Sequence, residues 1–299
     1  MPVQQRPHRP LRGIAFTCAA ALVLTVQDGF IKWLVEDLSV LQLLFVRSIV
    51  VVLVIFTVTK ARTGHVKLST TRPLEHGIRI VATILAFGMF FTAIRIAPLA
   101  DLVALMMTAP LLVAVLSGPL LGERTGVGEW VGILIGFAGV LIMTLSGGSS
   151  LSPLAVGLSL GASLSYSLFV IVTRRLSDTE KTETLLIYSA GGTSLFCLPV
   201  MFVLWVTPEP LFLAGMLVLG LISTLGHWLL VTGYSSAPAY VVAPFDYTAL
   251  VWAVLLGLIF WSEFPAPNVI VGALVIVTAG LIIIYTNYAR RRVNRDRLS

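Results

Sequence analysis

Apolar residues fall along this chain in long unbroken blocks, not in alternation. Ten blocks can be drawn, at residues 11–35, 39–60, 73–96, 98–121, 128–146, 153–174, 183–206, 211–236, 239–261 and 267–287. Each is close to the ~20 residues a helix needs to cross a hydrocarbon layer of about 30 Å. Barrel strands would instead alternate apolar and polar positions over about 10 residues. The pattern predicts ten membrane-spanning helices. The interruptions carry turn chemistry, as in Ser146-Gly147-Gly148-Ser149-Ser150, Pro208-Glu209-Pro210 and Pro265-Ala266-Pro267. Most connections are very short, so neighbouring helices are expected to run antiparallel.

Composition supports this. Of 299 residues, 57% are hydrophobic and only 11% are charged, against about 25% charged in an ordinary soluble domain. Lipid, not water, is the solvent that tolerates such a surface. Lysine and arginine then set an orientation, because they concentrate in cytoplasmic loops. With the N-terminus inside, the inner segments hold Arg6, Arg9, Arg12, Lys60, Arg62, Lys67, Arg72, Arg124, Arg174, Arg175, Lys181 and the tail arginines Arg290, Arg291, Arg292, Arg295 and Arg297. Only Lys32 and Arg95 lie toward the outside. Both termini are thus expected in the cytoplasm, with the first apolar block kept as a helix instead of cleaved as a signal peptide. The net charge of +6 follows from this bias and says nothing about nucleic acid. Cys18 and Cys197 fall near opposite membrane faces, which argues against a disulfide. His8, His65, His76 and His227 are scattered without partners at metal-ligand spacing, so no metal and no cofactor is expected.

Residues 97–123 and 237–263 look like one segment written twice. Both begin Ala-Pro, run through an apolar block and end in Glu, with an offset of 140 residues at Ala97/Ala237, Pro98/Pro238, Ala109/Ala249, Glu123/Glu263 and Gly132/Gly272. Five blocks per half is an odd number, so the second half must insert upside down. The expected units are residues 1–146, an inverted repeat over 147–287, and a basic tail over 288–299. Inverted repeats place a site near the midplane between them.

Within this pattern the chain resembles the EamA family of the drug/metabolite transporter superfamily. The resemblance is densest at Ala93-Ile94, Ala97-Pro98, Ala104-Leu105, Pro110-Leu111, Leu120-Leu121-Gly122-Glu123, Gly132, Gly136 and Gly139-Val140. It recurs more loosely at Ala237-Pro238, Glu263, Gly272 and Gly280, and Arg47 matches an arginine common in the family's second span. Leu250 stands opposite Pro110, and Tyr188 lies near the place that would match Arg47, so the halves are not equivalent. The resemblance implies an all-α membrane protein with ten helices in two inverted five-helix repeats around a central cavity. Within the family the pattern is similar to bacterial exporters of aromatic and other neutral amino acids. That implies alternating-access export across the cytoplasmic membrane by a monomer. The alternative is export of other small metabolites, or of cationic drugs by proton antiport.

Charges within the spans are candidate site groups, because membrane burial of a charge is costly. Asp28 and Lys32 stand four residues apart, in an order that favours pairing on one helix. Asp28 can alternatively join Gln27 and Arg47, which lie at a similar depth, either to brace the bundle or to hold a zwitterion. Glu75 and Arg79 form a second such pair beside His76, as an interfacial anchor or a cytoplasmic gate. Asp246 has no basic neighbour along its helix, and its repeat counterpart is Met106. His227 falls at a similar depth, so the two can form a proton-exchanging or a structural pair. Pro110 and Pro244 interrupt the two copied helices, as tolerated where backbone lines a cavity. The expected cavity residues are Asp28, Phe87, Phe90, Phe91, Met106, Pro110, Tyr166, His227, Trp228, Asp246 and Tyr247. Lys32, Arg47, Glu75 and Arg79 are expected as structural or gating charges.

These residues exclude other classes. An enzyme needs paired carboxylates, a nucleophile with its base, or a metal cluster at one depth. Here only isolated Asp28 and Asp246 and one histidine lie deep. No phosphate-binding glycine loop is present for direct ATP drive. Nucleotide sugars would want several deep cations, where only Arg47 and Arg79 are found. The partners expected are a small organic substrate and the bilayer.

Overall fold

The computed structural model describes residues 10–36, 38–65, 68–121, 127–145, 151–236 and 242–296. The helices are α1 (Pro10–Leu34), α2 (Val40–Thr63), α3 (Pro73–Ile94), α4 (Leu99–Met106), α5 (Ala109–Leu121), α6 (Val127–Leu145), α7 (Pro153–Leu176), α8 (Thr182–Leu204) and α9 (Pro210–Ser236). A 3-10 turn (Ala243–Tyr247), α10 (Thr248–Trp261) and α11 (Pro267–Asp296) follow. Glu123, Arg124 and the Ala237-Pro238 dipeptide lie outside the described residues.

Helix starts follow local chemistry. Ser39 caps α2 by accepting from the Gln42 N–H at 3.2 Å, and Ser152 caps α7 by accepting from Ala155 at 3.2 Å. Proline opens α3 and α7, where the first helical N–H has no partner to lose. α2 ends at Gly64, whose φ of 73° is the left-handed conformation of a helix stop. Helix α11 continues to Asp296, so the basic stretch that follows residue 287 begins as more of the same helix.

Six helices are long and apolar enough to cross a bilayer, and four shorter apolar stretches make up the remaining spans. Their outward faces are built for lipid: Phe202 is 83% exposed and Phe260 is 68% exposed, which water would not tolerate over so wide a belt. The protein is an all-α integral membrane protein whose ten spans form two inverted five-helix repeats.

The packing carries the two-fold relation. In the first repeat the spans are α1, α2, α3, the broken α4–α5 and α6. In the second they are α7, α8, α9, the 3-10 turn with α10, and α11. The most extensive helix pairings are α6 with α11, α1 with α9, α3 with α7 and α2 with α8. Exchanging the repeats turns the α1–α9 pairing into α7–α3, and leaves α2–α8 and α6–α11 as they are. The lesser pairing of α5 with α7 likewise has its image in α10 with α1. At the α6–α11 crossing, a Cβ on Gly139 would come within 2.8 Å of the Gly272 carbonyl oxygen, so glycine is what lets these backbones meet.

Candidate substrate cavity

Both copied helices are broken, and a threonine bridges each break in the same way. The first falls at Met107–Thr108, between α4 and α5. Residue 110 is proline, so the Met106 carbonyl lacks its helical N–H donor. The Ser163 hydroxyl from α7 lies 3.2 Å from that carbonyl, and Ser167 donates to the Ala109 carbonyl at 3.0 Å. Thr108 donates to the Leu105 carbonyl at 2.8 Å. In the second copy Thr248 donates to the Phe245 carbonyl at 2.6 Å. Thr108 and Thr248, like Leu105 and Phe245, occupy matching places in the repeat.

A cavity opens between these breaks. Its walls come from α1, α3 and α4–α5 of the first repeat and from α7, α9, the 3-10 turn and α10 of the second. Of the residues expected from sequence, Asp28, Phe87, Phe90, Met106, Pro110, Tyr166 and Asp246 line it. The matching positions Met106 and Asp246 therefore present a thioether and a carboxylate to one space. Gln27 orients Asp28, donating to Oδ1 at 3.2 Å while its own oxygen accepts from Ser223 at 2.7 Å. Asp246 accepts from the Tyr234 hydroxyl at 2.5 Å. Tyr166 stacks on Phe169 at 5.8 Å, and Phe87 stands edge-on to Phe169 at 6.5 Å. The result is an apolar, aromatic chamber with two carboxylates set into it.

Four expected lining residues sit elsewhere. Phe91 is fully buried in the core, under the Arg47 guanidinium. His227 lies behind Phe87, ring centroids 5.1 Å apart. Its Nδ1 bonds to the Ser223 carbonyl at 2.8 Å and its Nε2 has no partner, so His227 and Asp246 do not form the expected pair. Trp228 faces a separate groove along α2. Tyr247 is buried against α11, where a Cβ on Gly280 would collide with its hydroxyl.

The charges are also partnered differently from the i, i+4 expectation. Lys32 pairs with Glu263 at 2.5 Å, not with Asp28, and lies over the Trp261 ring at 5.1 Å. The end of α1 is beside the end of α10, so a carboxylate distant in sequence reaches the amine. Glu263 also accepts from the Leu99 N–H at 3.4 Å, tying in the start of α4. At the opposite end Glu75 pairs with Arg72 and with Arg175, each at 3.5 Å, instead of with Arg79. Arg79 is fully buried and donates to the Thr173 hydroxyl at 2.7 Å, the Leu185 carbonyl at 2.6 Å and the Ser189 hydroxyl. It braces α3 against α7 and α8. His76 stacks on Tyr188 at 4.2 Å, with Glu180 3.9 Å from its Nε2. Arg47 lies over Phe87 at 4.5 Å and over Phe91 at 5.4 Å, and its Nε and Nη1 make no hydrogen bond.

Sequence reasoning missed Ser163, Ser167 and Thr108. A signal for the serines was present: Ser159, Ser163 and Ser167 recur every four residues, a polar stripe on one face of an otherwise apolar helix. Tyr234 is legible as one of the chain's grouped aromatics, but its bond to Asp246 carried no signal, because the two lie on either side of a break between helices.

A site shared by two inverted halves, beside breaks that expose backbone, is the architecture of a secondary transporter. The chain belongs to the EamA-like transporter family, which matches it twice, over residues 11–145 and 153–286. It is similar to the S-adenosylmethionine uptake transporter of Rickettsia prowazekii, 28% identical over 280 residues, covering 92% of this chain and 93% of that one. It is also similar to the riboflavin transporter of Vibrio cholerae, 25% identical over 297 residues, covering 97% of this chain and 98% of that one. A solved crystal structure superposes with TM-score 0.69 at 17% identity, covering 92% of this chain and 98% of the other, a likeness of fold.

Proposed function

We propose that the protein transports small amphipathic organic molecules bearing a protonated amine or another cationic group, amino acids and their derivatives foremost. It does so by alternating access in a bacterial cytoplasmic membrane, as a monomer with both termini cytoplasmic. The observation that carries this reading is the pair Asp28 and Asp246, opening onto a mostly apolar and aromatic cavity. Carboxylates offer a cationic head charge-assisted hydrogen bonds. The faces of Phe87, Phe90 and Tyr166 attract the same charge and accommodate an apolar or ring-bearing remainder. S-adenosylmethionine, named for the Rickettsia relative, joins an amino-acid head to a positively charged sulfur and an aromatic base. It fits this description better than riboflavin, which has the ring system without the cation. Export of aromatic and neutral amino acids stays within the same class, and net direction follows the prevailing gradients. The halves 1–146 and 147–287 rock about the cavity, which each exposes in turn.

Exchange of cationic drug-like molecules for protons is the second reading. Asp246 favours it, since its partner is a tyrosine hydroxyl and not a cation. Such a carboxylate can hold a proton or a cationic substrate in alternation.

Purified protein in liposomes should take up labelled phenylalanine, S-adenosylmethionine or both, with unlabelled compound competing. Asp28→Asn and Asp246→Asn should each lower kcat/KM by roughly 10- to 100-fold, the loss of a charge-assisted bond of about 1.5–3 kcal/mol. An absence of flux across a panel of amines and amino acids, with riboflavin transported, would sink the cationic reading. If Asp246→Asn leaves the response to a pH gradient unchanged, proton exchange through that residue is rejected.

A further inference from the structure

A second hollow lies apart from the central cavity, along α2 between the start of α8 and one face of α9. It is the larger of the two, at about 500 Å³ against about 110 Å³. Its chemistry divides by depth. At one end stand Arg62, His65 and Lys181, with Glu183 the acid beside them. Toward the middle of the membrane the walls are Val58, Leu221, Leu225 and Trp228. The step from Arg62 to Val54 covers about two turns of α2, roughly 12 Å.

Three features make this a place for lipid. Leu221 is 53% exposed and Leu225 is 50% exposed, so the apolar wall is open sideways to the hydrocarbon. Trp228 is held edge-on to Phe16 at 5.6 Å, which fixes a flat apolar surface for a chain to lie on. The chain turns at Gly64, and the Thr63 hydroxyl lies 2.6 Å from the His65 carbonyl, which holds His65 beside the helix end that carries Arg62. The geometry points to a bound anionic phospholipid. Its phosphodiester sits between Arg62 and Lys181, and an acyl chain descends over Val58, Leu221, Leu225 and Trp228. Basic pockets between spanning helices attract anionic headgroups. A zwitterionic lipid would bring its ammonium group to the same two cations, with Glu183 alone to receive it, and gain less.

Native mass spectrometry of the full chain tests this, with phosphatidylglycerol or phosphatidylcholine added as the probe. The wild type should retain phosphatidylglycerol in preference. Arg62→Ala and Lys181→Ala should each lower that retention roughly fivefold, leaving phosphatidylcholine unchanged. Arg62→Lys should preserve it. Val58→Trp, which fills the groove and keeps both cations, should also displace phosphatidylglycerol. Equal retention of the two lipids by the wild type would overturn the site. So would phosphatidylglycerol binding that is indifferent to both alanine variants, whatever Val58→Trp does.

Discussion

Lys32 shows how far a residue can be read from its neighbours in sequence. Asp28 stands where the i, i+4 rule wants a partner, yet the amine goes to Glu263, 231 residues away. Local rules measure what one helix offers; in a bundle the adjacent helix end offers more, because it completes the charge without bending the side chain back. Glu75 and Arg79 repeat the lesson: Glu75 divides between its neighbour Arg72 and Arg175 of α7, and Arg79 finds its partners on α7 and α8. The deep carboxylates were easier to recognise, since a charge in an apolar block is conspicuous whatever its partner. The Lys32–Glu263 contact also joins the repeats at one end of the molecule. A double-mutant cycle with Lys32→Gln and Glu263→Gln should return a coupling of about 1.5–3 kcal/mol. Either single variant should make a cysteine at Met106 more reactive to impermeant reagent from that end. Additive effects, with unchanged labelling, would reduce the pair to decoration.

At the scale of the element, continuous apolar blocks were legible because lipid leaves no alternative to helices for backbone groups in its interior. The breaks were legible in part. Pro110 announces a missing donor, but not that Ser163 would lean across from α7 to replace it. Removing that support should loosen α4–α5 without unfolding the bundle. Ser163→Ala together with Thr108→Val should lower thermal stability by about 1–3 kcal/mol and change transport rate more than substrate affinity. An affinity change alone would place the serine in substrate contact. The α6–α11 crossing has no such slack. Gly139→Val should cost about 1–3 kcal/mol or more, because the Gly272 backbone cannot yield as a side chain would.

For the whole molecule, the charge bias and the odd number of spans per half make a strong sequence argument for an inverted pair, and the helix pairings carry the same relation. Orientation is open to direct measurement. In a background lacking Cys18 and Cys197, Asp178→Cys should label only from the cytoplasmic side and Glu209→Cys only from outside. The reverse pattern would invert the assignment.

The twin pairings α1–α9 and α3–α7 have a thermodynamic consequence. If the two ends of the molecule are sealed by the same kind of packing, closing one while opening the other exchanges like for like, and the bulk of the apolar burial cancels. The inward and outward states then lie close in free energy however stable the bundle is as a whole. What tips the balance is the small set of polar contacts at the rims, among the described residues Lys32 with Glu263 at one end and Arg72, Glu75 and Arg175 at the other. A handful of polar side chains at the rim can thus choose the resting state, leaving the duplicated core free to change sides.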